Sequence, residues 1–187
     1  MEEKQDNWLD WVKTIGIAFV LAVGVRYFIF TPIVVQGASM MPTLEDGEML
    51  AVDKITPKLT DLERFDVIVF KETEEENYVK RVIGLPGDHI QYIDDVLYVN
   101  GEKYDEPYLD KYKAELKDPG TLTEDFTLED YLQETTVPEG HLFVLGDNRR
   151  VSIDSRLPAV GFVPMDTVIG EVRFVYWPLS NAELISN

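Results

Sequence analysis

The pattern of hydrophobic and polar residues divides the chain into two parts. Near the N-terminus, residues 14–25 form an uncharged, largely apolar run. From residue 31 onward, apolar residues instead recur in short segments with a period of two, which predicts β-strands. The predicted strands cover residues 33–35, 49–52, 66–70, 78–83, 89–93, 96–99, 141–145 and 168–177. Strands this short and numerous predict a mainly β domain, built as an antiparallel sheet sandwich or barrel.

The apolar run is short for a membrane span. Its 12 uncharged residues fall below the roughly 20 that cross a bilayer. Adding the flanking residues gives the segment 11–30, in which Lys13 and Arg26 lie near the ends and can reach the membrane surfaces. The favoured interpretation is therefore one N-terminal transmembrane helix over residues 11–30.

Two other interpretations of this run remain open. A cleaved signal peptide is disfavoured by the acidic residues before the run, by Arg26 and by the lack of an A-x-A site. A buried core helix is the other alternative, because the run has no polar face. For an anchor, the positive-inside rule places residues 1–10 in the cytoplasm and residues 31–187 outside it.

Residues 102–137 differ from the rest of the predicted β domain. They contain 11 acidic residues and 4 lysines, together with two prolines and a glycine. We interpret them as an extended, acidic surface insertion that is solvated, with one helical turn near residues 128–132. Just before this segment, Asp94 and Asp95 separate two apolar runs and predict a tight hairpin.

Composition narrows the possible partners and cofactors. Acidic residues number 35 against 17 basic ones, a net charge of −18. This charge predicts no nucleic-acid partner, because phosphates would repel it. The chain has no cysteine, which excludes disulfides and a thiol nucleophile. With only two histidines, His89 and His141, a histidine-rich metal site is disfavoured.

Ser39 is a candidate nucleophile. It lies in a loop that begins soon after the apolar run, between two residues that constrain the backbone. Gly37 allows an unusual φ or the close approach of another chain, and Pro42 fixes its own φ. A serine on a rigid loop suits nucleophilic catalysis, but a serine in a turn that enters a strand is the simpler alternative.

A nucleophilic serine needs a base, and two kinds are available. His89 and His141 stand in unremarkable settings, so a Ser/His/Asp triad is disfavoured. A lysine can act as the base only if burial lowers its pKa. In the predicted strand 78–83, alternation puts Lys80 on one face with Tyr78 and Val82. From spacing alone, an edge-strand lysine facing solvent remains the commoner role.

A third stretch, residues 145–156, packs polar side chains densely between a strand and a proline. Such density is costly unless the groups satisfy one another in a network. Asp154 and Arg156 share a face and could pair. The alternative is a solvated loop, although the turn signal Gly146-Asp147-Asn148 directly after an apolar strand favours an ordered turn.

Taken together, these stretches resemble the type I signal peptidases, membrane-anchored Ser/Lys proteases that cut signal peptides from exported proteins. The matching motifs are Ser39-Met40-Met41-Pro42-Thr43-Leu44, residues 78–88, and Gly146-Asp147-Asn148-Arg149 with Ser152, Asp154, Ser155 and Arg156. They occur in the family's order and cover nearly all of the chain. The single anchor, short chain and Gly37 resemble the Gram-positive branch.

The resemblance implies a role for each matching residue. Ser39 would be the nucleophile, with its backbone N–H as an oxyanion donor, and Lys80 the general base. Ser152 would orient the Lys80 amine. The supporting ion pairs would be Asp154 with Arg156 and Arg81 with Asp147. The residues lining the substrate pockets would be Ile33, Val35, Met40, Leu44, Tyr78 and Val79.

The implied function is removal of signal peptides from exported preproteins, after small residues at positions −1 and −3, without a cofactor. The enzyme would sit in the cell membrane near the export translocon. Three departures stand out: Gly37 replaces a serine that supplies a second oxyanion donor in some relatives, Val151 replaces an asparagine, and Phe65 replaces a glycine. The alternatives are a Ser/Lys self-cleaving protein of the SOS-repressor type and an inactive, membrane-tethered peptide-binding module.

Overall fold

The computed structural model describes residues 8–28 and 30–185. Most of the predicted cytoplasmic segment 1–10 therefore lies outside the described residues, as do residues 29, 186 and 187. The helices are α1 (Trp8–Phe28), α2 (Thr56–Leu59), α3 (Asp110–Glu115) and α4 (Leu128–Leu132). The strands are β1 (Phe30–Val34), β2 (Met49–Asp53), β3 (Val67–Lys71), β4 (Asn77–Gly84), β5 (Ile90–Ile93), β6 (Val96–Val99), β7 (Glu102–Tyr104), β8 (Phe126–Thr127), β9 (His141–Leu145), β10 (Val163–Pro164), β11 (Val168–Trp177) and β12 (Glu183–Leu184).

Helix α1 covers most of the predicted anchor segment 11–30. Several of its apolar side chains are exposed, namely Trp8, Trp11, Val12, Ile15, Ile17, Phe19, Val20 and Val23. This exposure contradicts the alternative of a buried core helix. Within residues 8–28 and 30–185, no helix has both the length and the apolar character required for crossing a membrane. The transmembrane anchor stays a prediction.

The predicted mainly β, antiparallel domain is confirmed. One sheet has the order β1-β2-β11-β3-β4-β9-β10, with β12 added to β11, and the other has the order β7-β6-β5-β8. Strand β4 lies inside the larger sheet, where Lys80 is opposite Ile68 on β3. Lys80 is only 3% exposed, so the alternative of an edge-strand lysine facing solvent is wrong.

The core explains why the central strands are apolar at successive positions. On β3, Val67 and Val69 pack into one buried cluster, whereas Ile68 and Phe70 pack into another. The larger sheet is therefore covered on both faces. A third cluster joins Phe143 of the larger sheet to the side chains of the smaller one. Apolar residues fill both faces, so a buried polar side chain such as Lys80 needs a specific partner.

Tight hairpins fix the register of the smaller sheet. Strands β5 and β6 pair with Ile93 opposite Val96, which leaves a two-residue loop. Its residues, Asp94 and Asp95, have φ of 49° and 66°. Positive φ at both positions is the signature of a type I′ turn, and aspartate tolerates it better than most residues. The predicted hairpin at Asp94-Asp95 is confirmed.

The interpretation of residues 102–137 as an extended, solvated insertion is wrong in part. The predicted helical turn is present as α4, but the segment also contributes β7, β8 and α3. Several of its side chains are buried, namely Glu106, Leu109, Leu122, Thr123, Phe126, Leu128 and Val137. These residues are scattered among charged neighbours, so no period marks them in the sequence. The segment packs on the smaller sheet and, as shown below, reaches the candidate site.

Candidate active site

The larger sheet brings Lys80 to Ser39. The Lys80 Nζ lies 3.0 Å from the Ser39 Oγ, although the two residues are 41 positions apart. The same amine donates a hydrogen bond to the Val79 carbonyl at 3.1 Å. Neither histidine takes this place, because His89 faces Glu129 and His141 contacts the Glu139 carbonyl. The pair has the geometry required of a nucleophile and its general base.

Burial makes a neutral Lys80 accessible near physiological pH. Removal of the amine from water lowers the pKa of Lys80 from 10.5 to about 8. The carboxylates of Asp154, Asp147 and Glu72 act in the opposite direction and keep the pKa from falling further. A buried amine loses its proton more easily because the charged form suffers most from desolvation. At pH 7 Lys80 is therefore neutral in about a tenth of the molecules, and there it can accept a proton.

The loop after β9 holds the Ser39 loop in place. The Asn148 backbone N–H donates to the Ser39 carbonyl at 3.0 Å. The Asn148 side-chain Nδ2 donates to the Ala38 carbonyl, also at 3.0 Å. The Thr43 hydroxyl donates to the Asp147 carboxylate. Sequence reasoning assigned no such role to Thr43 or Asn148, because contacts between distant loops leave no periodic signal.

Two ion pairs support this loop. Arg81 donates to both carboxylate oxygens of Asp147, at 2.9 and 2.8 Å, and both side chains are completely buried. Arg156 pairs with Asp154 at 2.8 Å. Asp154 also accepts a hydrogen bond from the Gly146 N–H at 3.0 Å, so this pair anchors the first residue of the turn. The structure thus brings together both pairs that the resemblance implied.

Ser152 does not make the contact expected of it. Its Oγ is buried and has no hydrogen-bond partner within the described part of the chain. The Lys80 amine instead bonds Ser39 and Val79. A Cβ added to the neighbouring Gly146 would meet the Ser152 Oγ, which places this hydroxyl against the turn. The expected orientation of Lys80 by Ser152 is not observed.

Gly146 has no room for a side chain. A Cβ there would clash with the Ser152 Oγ and with the Ser39 backbone oxygen, and a backbone atom cannot move aside by changing rotamer. We expect Gly146→Ala to displace the Ser39 loop and lower kcat about a hundredfold, since small misplacements of reacting groups have effects of this size. The measurement is the rate of cleavage of a preprotein, the substrate that the resemblance implies. Gly16→Ala is the control, because its added Cβ meets no described atom within 4 Å; equal activity of the two variants would contradict the argument.

A groove of about 510 Å³ opens beside Ser39 and Lys80. It is lined by five of the six residues expected to form the pockets, namely Ile33, Val35, Met40, Tyr78 and Val79. Leu44, the sixth residue expected in the pockets, does not line the groove, and that prediction is wrong. It is completely buried in the same core cluster as Met40.

Gly37 has no side chain that could act as an oxyanion donor. Its backbone conformation explains why a glycine stands at this position. Its φ is 85°, in the left-handed region that favours glycine. Its N–H donates to the Asp46 carboxylate at 2.7 Å. Phe65 is the opposite case, because it keeps a φ of 75° without being glycine. The Phe65 ring packs against Tyr104 and Tyr108, which offsets part of the backbone strain.

Segment 102–137 contacts three consecutive residues of the loop after β9, namely Asn148, Arg149 and Arg150. The Tyr112 hydroxyl donates to the Asn148 Oδ1 at 3.0 Å. Arg149 forms a buried ion pair with Glu106, and Arg150 forms an exposed one with Asp118. Sequence reasoning missed these contacts because the acidic residues of the segment look alike, whether solvated or paired.

Comparisons with known proteins show the family to which the chain belongs. The family model described as "Signal peptidase, peptidase S26" matches residues 8–177. The chain belongs to the signal peptidase family, peptidase S26. It is therefore a serine endopeptidase. A signal peptidase I of Bacillus caldolyticus is 53% identical over 95% of this chain and 94% of its own length.

Other signal peptidases are also similar to this chain in sequence and structure. Signal peptidase IB of Staphylococcus aureus is 45% identical over 92% of this chain and 91% of its own length. A crystal structure of a signal peptidase I from Enterococcus faecalis is 44% identical, with a TM-score of 0.56. The match covers 60% of this chain and 97% of that one.

Proposed function

We propose that this chain removes signal peptides from exported preproteins, with Ser39 as nucleophile and Lys80 as general base. The observation that carries the proposal is the 3.0 Å separation of the Lys80 Nζ and the Ser39 Oγ, with an amine that burial makes easier to deprotonate. The family membership and the names of the relatives support it.

The reaction is acyl transfer in two stages. Neutral Lys80 takes the proton of Ser39 while the Oγ attacks the carbonyl carbon of the residue before the cut. The Ser39 N–H stabilises the resulting oxyanion. Protonated Lys80 then gives its proton to the leaving amine, and the C–N bond breaks to leave an acyl-enzyme. Water, deprotonated by Lys80, adds to the ester carbonyl. The C–O bond to the Ser39 Oγ then breaks, Lys80 returns the proton to this oxygen, and the signal peptide leaves with a free carboxylate.

The groove supports a preference for small side chains around the cut. Met40 is buried and Val79 partly buried on its walls, so bulky residues would have to displace packed side chains. Strand β1 is the terminal strand of the larger sheet, and a substrate segment can lie extended along such an edge by β-augmentation. Small residues at positions −1 and −3 would then face the groove.

Helix α1 is the proposed membrane contact. Exposed apolar side chains such as Ile15, Phe19 and Val20 would be stabilised by transfer from water to lipid. As a single-pass anchor it would leave the N-terminus in the cytoplasm and the β domain outside, beside the translocon. Ser39 follows the end of α1 by only 11 residues, which would keep the site near the membrane surface.

The direct test uses detergent-solubilised full-length protein and an exported preprotein. We expect one cleavage, and sequencing of the new N-terminus should place small residues at positions −1 and −3 of the precursor. Cleavage at unrelated sites, or none, would contradict the proposal. Cleavage of this chain alone, within its own sequence, would instead favour the self-cleaving alternative.

The pKa of Lys80 predicts how the rate depends on pH. The pKa of Lys80 is about 8. At lower pH the amine is mostly protonated and cannot act as a base. We expect kcat/KM, which reports the pKa of the free enzyme, to fall about tenfold for each pH unit below 7 and to level off above 9. The measurement is the rate of cleavage between pH 5 and 10 at preprotein concentrations well below KM. A rate that stays constant down to pH 5 would exclude Lys80 as the base.

A further inference from the structure

The hydroxyl of Tyr112 is connected to the Ser39 loop through a single side chain. Tyr112 lies on α3 and donates to the Asn148 Oδ1 at 3.0 Å. The Asn148 Nδ2 donates to the Ala38 carbonyl at 3.0 Å. The Asn148 backbone N–H donates to the Ser39 carbonyl at the same distance. A series of hydrogen bonds thus runs from α3 to the two carbonyls on either side of the nucleophile.

The two ends of the Asn148 amide have different chemistry. Oδ1 only accepts hydrogen bonds and Nδ2 only donates them. The Ala38 carbonyl is purely an acceptor, so Nδ2 must face it. If the amide rotated by half a turn, Oδ1 would lie against the Ala38 oxygen and the two would repel. The Ala38 carbonyl thus selects the orientation of the amide, and the hydrogen bond from the Tyr112 hydroxyl to Oδ1 holds the Asn148 side chain in place.

The Ala38 carbonyl and the Ser39 N–H belong to one peptide unit. That unit is planar, and it is not among the cis peptide bonds of the described chain, so the direction of its carbonyl fixes the direction of its N–H. Donation to the carbonyl also polarises the N–H and strengthens it as a donor. We infer that Tyr112 is a positioning residue that, through Asn148, aims the Ser39 N–H at the oxyanion. This inference rests on the proposed function, in which that N–H stabilises the oxyanion.

Tyr112→Phe removes only the hydroxyl and keeps the ring. We expect kcat to fall about tenfold with an unchanged KM, because the Ser39 N–H acts on the oxyanion and not on the bound substrate. The pH dependence should keep the same midpoint, since Lys80 is untouched. Tyr104→Phe is the matched control in the same segment, because the Tyr104 hydroxyl makes no hydrogen bond within residues 8–28 and 30–185. Its kcat should equal that of the wild type.

A double-mutant cycle tests the route. If Tyr112 acts through Asn148, Tyr112→Phe should have no further effect on kcat in an Asn148→Ala background. A full tenfold effect in that background, or an unchanged kcat for Tyr112→Phe alone, would overturn the inference.

A second readout does not need activity. The ¹⁵N resonance of the Ser39 amide in detergent-solubilised protein should shift in Tyr112→Phe and not in Tyr104→Phe. An unchanged Ser39 resonance in Tyr112→Phe would overturn the inference even if cleavage were not observed. The proposed function is tested separately by Ser39→Ala, since retained cleavage in that variant would refute the nucleophile and leave the resonance experiment to decide the role of Tyr112.

Discussion

Replacing Lys80 with methionine is expected to lower kcat for preprotein cleavage at least about a thousandfold, the scale seen when a serine protease loses its base. Methionine fills a similar volume and cannot accept the Ser39 proton. The Lys80 Nζ is the only titratable group that the structure places at the Ser39 Oγ within the described residues. Ser39→Ala should reduce kcat to the same low level, and combining the two changes should reduce it no further.

The Lys80→Met variant should also be more stable than the wild type. A loss of activity in this variant would then not be caused by a loss of fold. Because the folded state has a Lys80 pKa of about 8 against a usual 10.5, the unfolded state binds more protons between these values. Stability of the wild type therefore rises with pH from 8 to 10.5, and the burial cost is fully present below pH 8. We expect Lys80→Met to raise the free energy of unfolding by about 3 kcal/mol at pH 7, and by little above pH 10.5.

Urea unfolding at pH 7 and pH 10.5, together with a cleavage assay, measures both effects. Lys103→Met is the control, because Lys103 is an exposed lysine on β7. Its activity and its unfolding midpoint should match those of the wild type. A Lys80→Met enzyme that keeps a tenth of the wild-type kcat would eliminate Lys80 as the base.

Asp147→Asn is expected to lower the free energy of unfolding by about 3–5 kcal/mol, because it leaves the buried Arg81 without its counter-charge. Both side chains are completely buried, so water cannot replace the lost carboxylate. The Asn amide also offers one acceptor where the carboxylate now accepts from Arg81 and Thr43. Chemical denaturation of the purified domain measures the effect.

Asp118→Asn is the matched control for this prediction. Asp118 also accepts two hydrogen bonds from an arginine, Arg150, but the pair is exposed. Solvent screening makes such pairs weak, so the unfolding midpoint should hardly change. Equal destabilisation by the two variants would show that burial is not what makes the Arg81–Asp147 pair important.

Much of the fold follows from local pattern. The predicted strand 66–70 corresponds to β3 (Val67–Lys71), because apolar side chains there face two buried clusters. The hairpin at Asp94-Asp95 could be predicted because the turn itself selects its residues. Short strands such as β8 and β12, with two residues each, have no period to detect. They are defined by their pairing with β5 and β11.

The residues of the candidate site could be predicted where they belong to a sequence motif. They could not be predicted where their role depends on packing against distant residues. Ser39 and Lys80 stand in recognisable stretches, and the structure places them together. The resemblance implies a pocket position for Leu44, but a matching motif does not tell which way a side chain points. The roles of Tyr112 and Glu106 depend on contacts with residues far along the chain, and a single sequence does not reveal such pairs.

The bonds that fix the Ser39 loop have a consequence for biosynthesis. Thr43 and Ala38 bond to Asp147 and Asn148, which follow them by 104 and 110 residues. A growing polypeptide could contain both Ser39 and Lys80 while the residues that hold the nucleophile have not yet been translated. Peptidase activity should therefore arise only once the last third of the chain has emerged and folded. Incomplete chains would therefore be unable to cut a signal peptide.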